Sequence, residues 1–138
     1  MEYLTITKAT GKQLLDSMNV LRMFCNFAWP IKLAIELRRF AQKFSAEHAI
    51  VAGLRDQVVE QYGHPNKTPK GLVIPGSFTL NEASPGAEEG LPRFNEILAQ
   101  EIEIDHPKVV IELALAPSDA RISPAHLELL EPFVSFQD

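Results

Sequence analysis

Four histidines, one cysteine and a short row of acids are the residues of this chain whose types could do chemistry. His48, His64, His106 and His126 are scattered, and none stands in an H-x-x-x-H or H-E-x-x-H arrangement. Cys25 is alone, so no zinc knuckle can form and no metal site is expected. Cys25 falls late in its predicted helix, away from a helix N-terminus that would lower its pKa, and reads as a buried thiol. Glu101, Glu103 and Asp105 alternate along "EIEID" and would share one strand face. Such a row can bind a divalent cation or supply acid–base groups. With no polar partner or glycine turn beside it, the row reads as a solvated face opposite buried isoleucines. "GLVIPGSF" spaces Gly71 and Gly76 like a phosphate loop, but Ser77 and Phe78 stand where Lys and Ser/Thr would follow. There is no G-x-S-x-G elbow. No catalytic residue, cofactor site or metal site is assigned, and the chain reads as a non-enzyme.

The basic stretch "ELRRFAQK" carries Arg38, Arg39 and Lys43, with Lys32 one turn earlier. These form a candidate contact for an anion, a phosphate or an acidic partner. Nucleic acid is not the expected ligand. The net charge is −5, from 18 acids against 13 bases, and the nearby aromatics fall at core spacing rather than beside the bases.

The elements that must position these groups follow from periodicity. A length of 138 residues with 46% hydrophobic side chains suits a single domain, 1–138, with a real core. "EYLTIT" predicts a strand over Glu2 to Thr7, with Thr7 or Thr10 capping the helix that follows. Leu14, Leu15, Met18, Leu21, Phe24 and Cys25 make one apolar stripe, which ends near Phe27 ahead of Pro30. From Pro30 to Tyr62 no proline interrupts Leu33, Leu37, Phe40, Phe44, Val51, Leu54 and Val58 at helical spacing. Gly63 is placed to end this helix in the left-handed conformation. At ~1.5 Å per residue the helix is roughly 50 Å long, more than the first helix can cover. Either it kinks near Gly53, or the C-terminal half folds back over the stripe, or the stripe meets another molecule. Leu37, Phe40, Phe44, Val51, Leu54 and Val58 are therefore candidate protein-interface residues, with Phe133 and Phe136 as pegs that dock beside the long helix or onto a neighbouring subunit.

Residues 64–90 read as a long Pro/Gly-rich loop, in which "GLVIP" and "SFTL" are short strands or apolar pegs. "LPRFNEILAQ" predicts a helix with Pro92 in its first turn. "EIEIDHPKVVIELALA" predicts two strands turning at "DHP", with the first strand of the chain as a third member. Ser123 and Pro124 start a last short helix, which Pro132 ends. The expected fold is α+β and helix-dominated. It has an N-terminal strand, a helical hairpin with one long helix, a small antiparallel sheet of two or three strands, and a short C-terminal helix.

This order of parts, with "EQYG" closing the long helix, "FNEIL" before an acidic strand and the "ISP…LEPF" ending, resembles a group of short proteins of unknown function from tailed phages and prophages. The resemblance covers most of the chain. It implies phage origin and residence in the host cytoplasm or the virion, and transfers no site residues. No apolar stretch is long enough to span a membrane, and the N-terminus lacks a signal-peptide pattern. The expected function is a non-enzymatic phage protein, homo-oligomeric, contacting phage or host proteins in virion assembly. The alternatives are a counter-defence protein that binds a host immune factor or sequesters a nucleotide signal, and a small enzyme.

Overall fold

A computed structural model describes residues 6–137. It is helix-dominated α+β. The expected strand Glu2–Thr7 lies largely outside the described residues. The strand that forms is β1, Thr7–Thr10. Thr10 ends it and caps helix α1, Gly11–Cys25. Its hydroxyl accepts from the Gln13 N–H, and the Gln13 side chain accepts from the Thr10 N–H, a reciprocal capping box. Asn26 to Pro30 turn the chain into α2, Ile31–Tyr62, which runs unbroken through Gly53. The two helices pack side by side in opposite directions, for Gly11 lies against Val51 while Cys25 lies near Arg38.

Gly63 follows α2 but is extended, with φ −83° and ψ −166°, so the expected left-handed stop does not form. Glycine is required there for another reason. A Cβ would collide with the carbonyl oxygens of Val59 and Thr79, because the chain passes directly from the helix into a strand. That strand is β2, His64–Lys67, and it pairs antiparallel with β3, Val73–Thr79. Much of the expected loop 64–90 is therefore a hairpin. Its turn reads Thr68-Pro69-Lys70-Gly71-Leu72. Gly71 N–H donates to the Thr68 carbonyl at 2.9 Å, and Thr68 N–H donates to the Leu72 carbonyl at 2.8 Å. Gly71 has φ +83°, which glycine adopts without steric cost. The register slips between Pro65 and Lys67, and Pro75 and Gly76 sit in that irregularity, where a missing N–H is tolerated.

Helix α3 spans Ala87–Ala99, so it starts earlier than expected and holds Pro92 inside it. Its N-terminal end packs on the C-terminal end of α2. The Gly86 N–H donates to the Tyr62 carbonyl at 3.2 Å, and the Arg93 guanidinium lies 5.6 Å from the Tyr62 ring centroid. Strand β4, Glu101–Ile104, pairs antiparallel with β1, as expected of the first strand. The expected hairpin around "DHP" does not form. Strand β5, Val109–Glu112, pairs instead in parallel with β6, Val134–Gln137. Between them come a 3-10 turn, Leu113–Leu115, and helix α4, Pro124–Leu130, capped by Ser123 with His126 completing the box. A parallel pair needs such a crossover, and α4 supplies it. Ser17 Oγ of α1 donates to the Leu129 carbonyl at 2.8 Å, holding α4 in place.

The core lies between α1, α2 and these strands. Phe133 is fully buried, its ring 5.1 Å from that of Phe44 and 6.2 Å from that of Phe40. Val109, Ile111 and Val134 are buried beside it. Burying a side chain of this size contributes roughly 1.5–3 kcal/mol, and aromatic pairing adds about 0.5–1.5 kcal/mol. Phe133→Ala should therefore cost about 3–5 kcal/mol in a denaturant titration. A loss below about 1 kcal/mol would mean that the C-terminal segment does not close this core.

Candidate functional site

The expected interface stripe is mostly interior. Leu37, Phe40, Phe44, Val51 and Phe133 are buried in the chain's own core. They are not a free docking surface, because the C-terminal half folds back over α2. Phe136 is half-buried with its ring 5.9 Å from Phe24, and Val58 is half-buried too. Leu54, 48% exposed, remains accessible. It lines a recess of about 290 Å³ with Val51, Ile97 and Ile102, edged by Glu96 and Gln100. A second apolar surface lies where a loop was expected. Leu72, Val73 and Ile74, beside the hairpin turn, are 66%, 55% and 39% exposed. The "TPKG" sequence carried the signal for that turn, with Pro at its second position and Gly at its end.

The basic set divides. Lys43 Nζ donates to the Asp105 carbonyl at 2.6 Å and so holds the end of β4. Arg38 turns to the opposite side, because five residues advance a helix by about 140°. Arg39 is exposed and does not share the Arg38 groove. Arg38, Gln42 and Ser45, at i, i+4 and i+7 of α2, face Met18, Arg22 and Cys25, at the same spacing on α1. With Leu21, Asn26 and Ala41 they line a groove of about 570 Å³ between the two helices. Its floor is apolar and its rim carries two guanidinium groups. Arg22 was not anticipated as an anion contact, since nothing in local sequence pairs it with Arg38.

Cys25 lines this groove, and His48 lies outside it but within reach of the Arg22 charge. Burial raises the Cys25 thiol above its ordinary pKa, and the Arg38 guanidinium works against that rise. His48, stacked 6.1 Å from the Phe44 ring, is lowered by burial first and then by the charges of Arg55 and Arg22.

The other histidines serve the fold. His126 completes the α4 cap, and Nδ1 of His106 lies 2.6 Å from the Pro107 carbonyl oxygen. His64 Nδ1 lies 2.8 Å from Ser84 Oγ, a separation a nucleophile and its base could share. Ser84 Oγ also accepts from the Asn81 N–H at 3.1 Å and can donate to the Thr79 carbonyl at 3.2 Å, so whether its one hydroxyl proton goes to that carbonyl or to His64 Nδ1 depends on the His64 tautomer. The pair closes the turn that follows β3. Glu101 and Glu103 lie on a solvated strand face, as expected, while the exposed Asp105 falls just beyond the end of β4. Glu101 and Glu103 lie 3.6 and 4.0 Å from Lys8 of β1.

Among the described residues no group of three or more His, Cys, Asp or Glu side chains is placed to hold a metal ion, and no helix is long and apolar enough to cross a membrane. The fold and the groove together define a helix-dominated α+β protein with a cationic cleft between its first two helices. Comparison of the chain with protein-family models, curated proteins and solved structures gives no match.

The Cys25 environment is testable. At about pH 8 the thiol should alkylate more slowly than a free cysteine, because less of it is thiolate. Arg38→Gln should slow the reaction further, since the guanidinium favours the thiolate. An unchanged or faster rate in that variant would separate Arg38 from Cys25.

Proposed function

We propose that the chain is a non-enzymatic phage protein that acts through protein–protein contact, as a homo-oligomer in virion assembly. The observation that carries this reading is the exposed run Leu72, Val73 and Ile74 beside the hairpin turn. Leu72, Val73 and Ile74 expose large apolar side chains on both faces of the hairpin end, which we read as a contact surface. The occupant we assign is a second copy of the chain. The run is flanked by the exposed Lys67 and Lys70, and the recess at Leu54 is edged by Glu96, so the two surfaces complement each other in charge as well as polarity. A turn that enters a different surface of its neighbour makes a head-to-tail contact. Repeated contacts of this kind close rings or extend tubes, the geometry that assembly of a phage particle uses. Of the long helix's expected stripe Leu54 contributes, at the recess, while Leu37, Phe40, Phe44 and Val51 are buried within the chain.

A second reading, a counter-defence protein that sequesters a nucleotide signal, is favoured by the two arginines on the groove between α1 and α2.

Sedimentation velocity over a range of concentrations tests the first reading. The unsubstituted protein should associate. Leu72→Glu and Leu54→Glu should each dissociate it while leaving its circular dichroism unchanged, because both positions are exposed. A protein that stays monomeric at high micromolar concentration sinks the oligomer reading.

A further inference from the structure

The groove between α1 and α2 has a composition that ordinary surface solvation does not require. Arg22 and Arg38 face it from different helices, and among the described residues no carboxylate lies within ion-pair distance of either guanidinium. Two cations converging without an acid between them repel each other and attract an anion. The neighbouring end of α1 would ordinarily disfavour an anion, because helix C-termini expose carbonyl oxygens. Here three of the last four such oxygens already accept hydrogen bonds. The Arg22 and Met23 carbonyls accept from the Asn26 N–H at 3.2 and 3.1 Å. The Phe24 carbonyl accepts from the Phe27 N–H at 3.2 Å and from Trp29 Nε1 at 2.7 Å. Below the cations lie Met18, Leu21 and Ala41, an apolar floor that a bare inorganic ion would leave unused. The Asn26 and Gln42 amides on the rim offer both donors and acceptors. A volume of about 570 Å³ suits a small organic molecule.

We propose that this groove binds a small organic phosphate with a flat, largely apolar body, as a nucleoside monophosphate has. The phosphate lies between Arg22 and Arg38, where guanidinium groups can each present paired N–H donors. The body covers Met18, Leu21 and Ala41, and its polar edge meets Asn26 and Gln42. The site is separate from the hairpin surface, so failure of either proposal leaves the other standing.

Calorimetric titration of the full chain with adenosine 5′-monophosphate, phenyl phosphate, adenosine and inorganic phosphate tests the assignment. Adenosine 5′-monophosphate should bind, and adenosine and inorganic phosphate should each bind at least about tenfold more weakly, because each keeps half of the recognition. Phenyl phosphate separates the sources of affinity. Binding close to that of the nucleotide assigns the body to apolar contact alone, and weaker binding adds the amide contacts. Arg22→Gln and Arg38→Gln should each weaken nucleotide binding about tenfold, and both side chains are exposed, so the fold should survive. Ala41→Trp should block binding by filling the floor. If adenosine 5′-monophosphate and phenyl phosphate both fail to bind at millimolar concentration, or bind the doubly substituted arginine variant unchanged, the site is not what we assign.

Discussion

The structure depends on one burial event, the packing of Phe133 against the adjoining rings of Phe40 and Phe44. The long helix presents an apolar side that α1 alone cannot cover, and water would otherwise face Phe40 and Phe44. Phe133 removes both rings from solvent and fixes where the following strand must run. Val134 then falls opposite Val109, and Phe136 opposite Ile111, so the β5–β6 pair closes over the same core. Contacts between residues so far apart in sequence carry a loop-closure cost, which only a large hydrophobic return can offset.

That closure also decides what remains accessible. With the interior side of α2 filled, the surfaces left for other molecules include the Leu54 recess, the hairpin turn and the groove between α1 and α2. The groove exists because the two helices lie alongside each other in opposite directions, bringing the i, i+4, i+7 row of Arg38 opposite that of Arg22. Neither arginine has chemical meaning alone. Side by side, above an apolar floor, they make a local positive field on a chain whose net charge is negative.

The features legible in the sequence were those governed by short-range physics. Helical spacing marked α1 and α2, and Ser123-Pro124 marked the start of α4, because capping and periodicity act within a few residues. Glycine at position 63 was read as a left-handed stop, whereas its role is to let the Thr79 carbonyl come close. That partner lies across a hairpin and is invisible locally. The hairpin itself was signalled by Pro69 and Gly71, but the surrounding glycines and prolines also describe an irregular loop. The pairing of β5 with β6 could not be read from "DHP", which favours a turn without specifying which strand comes next to which. The Arg38 half of the groove was legible as a basic helical turn, and the Arg22 half was not.

By itself, the sequence determined where the helices lie, which of their sides is apolar, and that familiar metal and phosphate-loop motifs are missing. These follow from residue type and spacing over one or two turns. Tertiary structure alone decided that Phe133 rather than another molecule covers Phe40 and Phe44, that Lys43 is taken up by a carbonyl, and that Arg38 lines a groove with Arg22. Each of those outcomes is a contact between distant segments. Its energy depends on which surfaces have already been buried, and no local pattern encodes that.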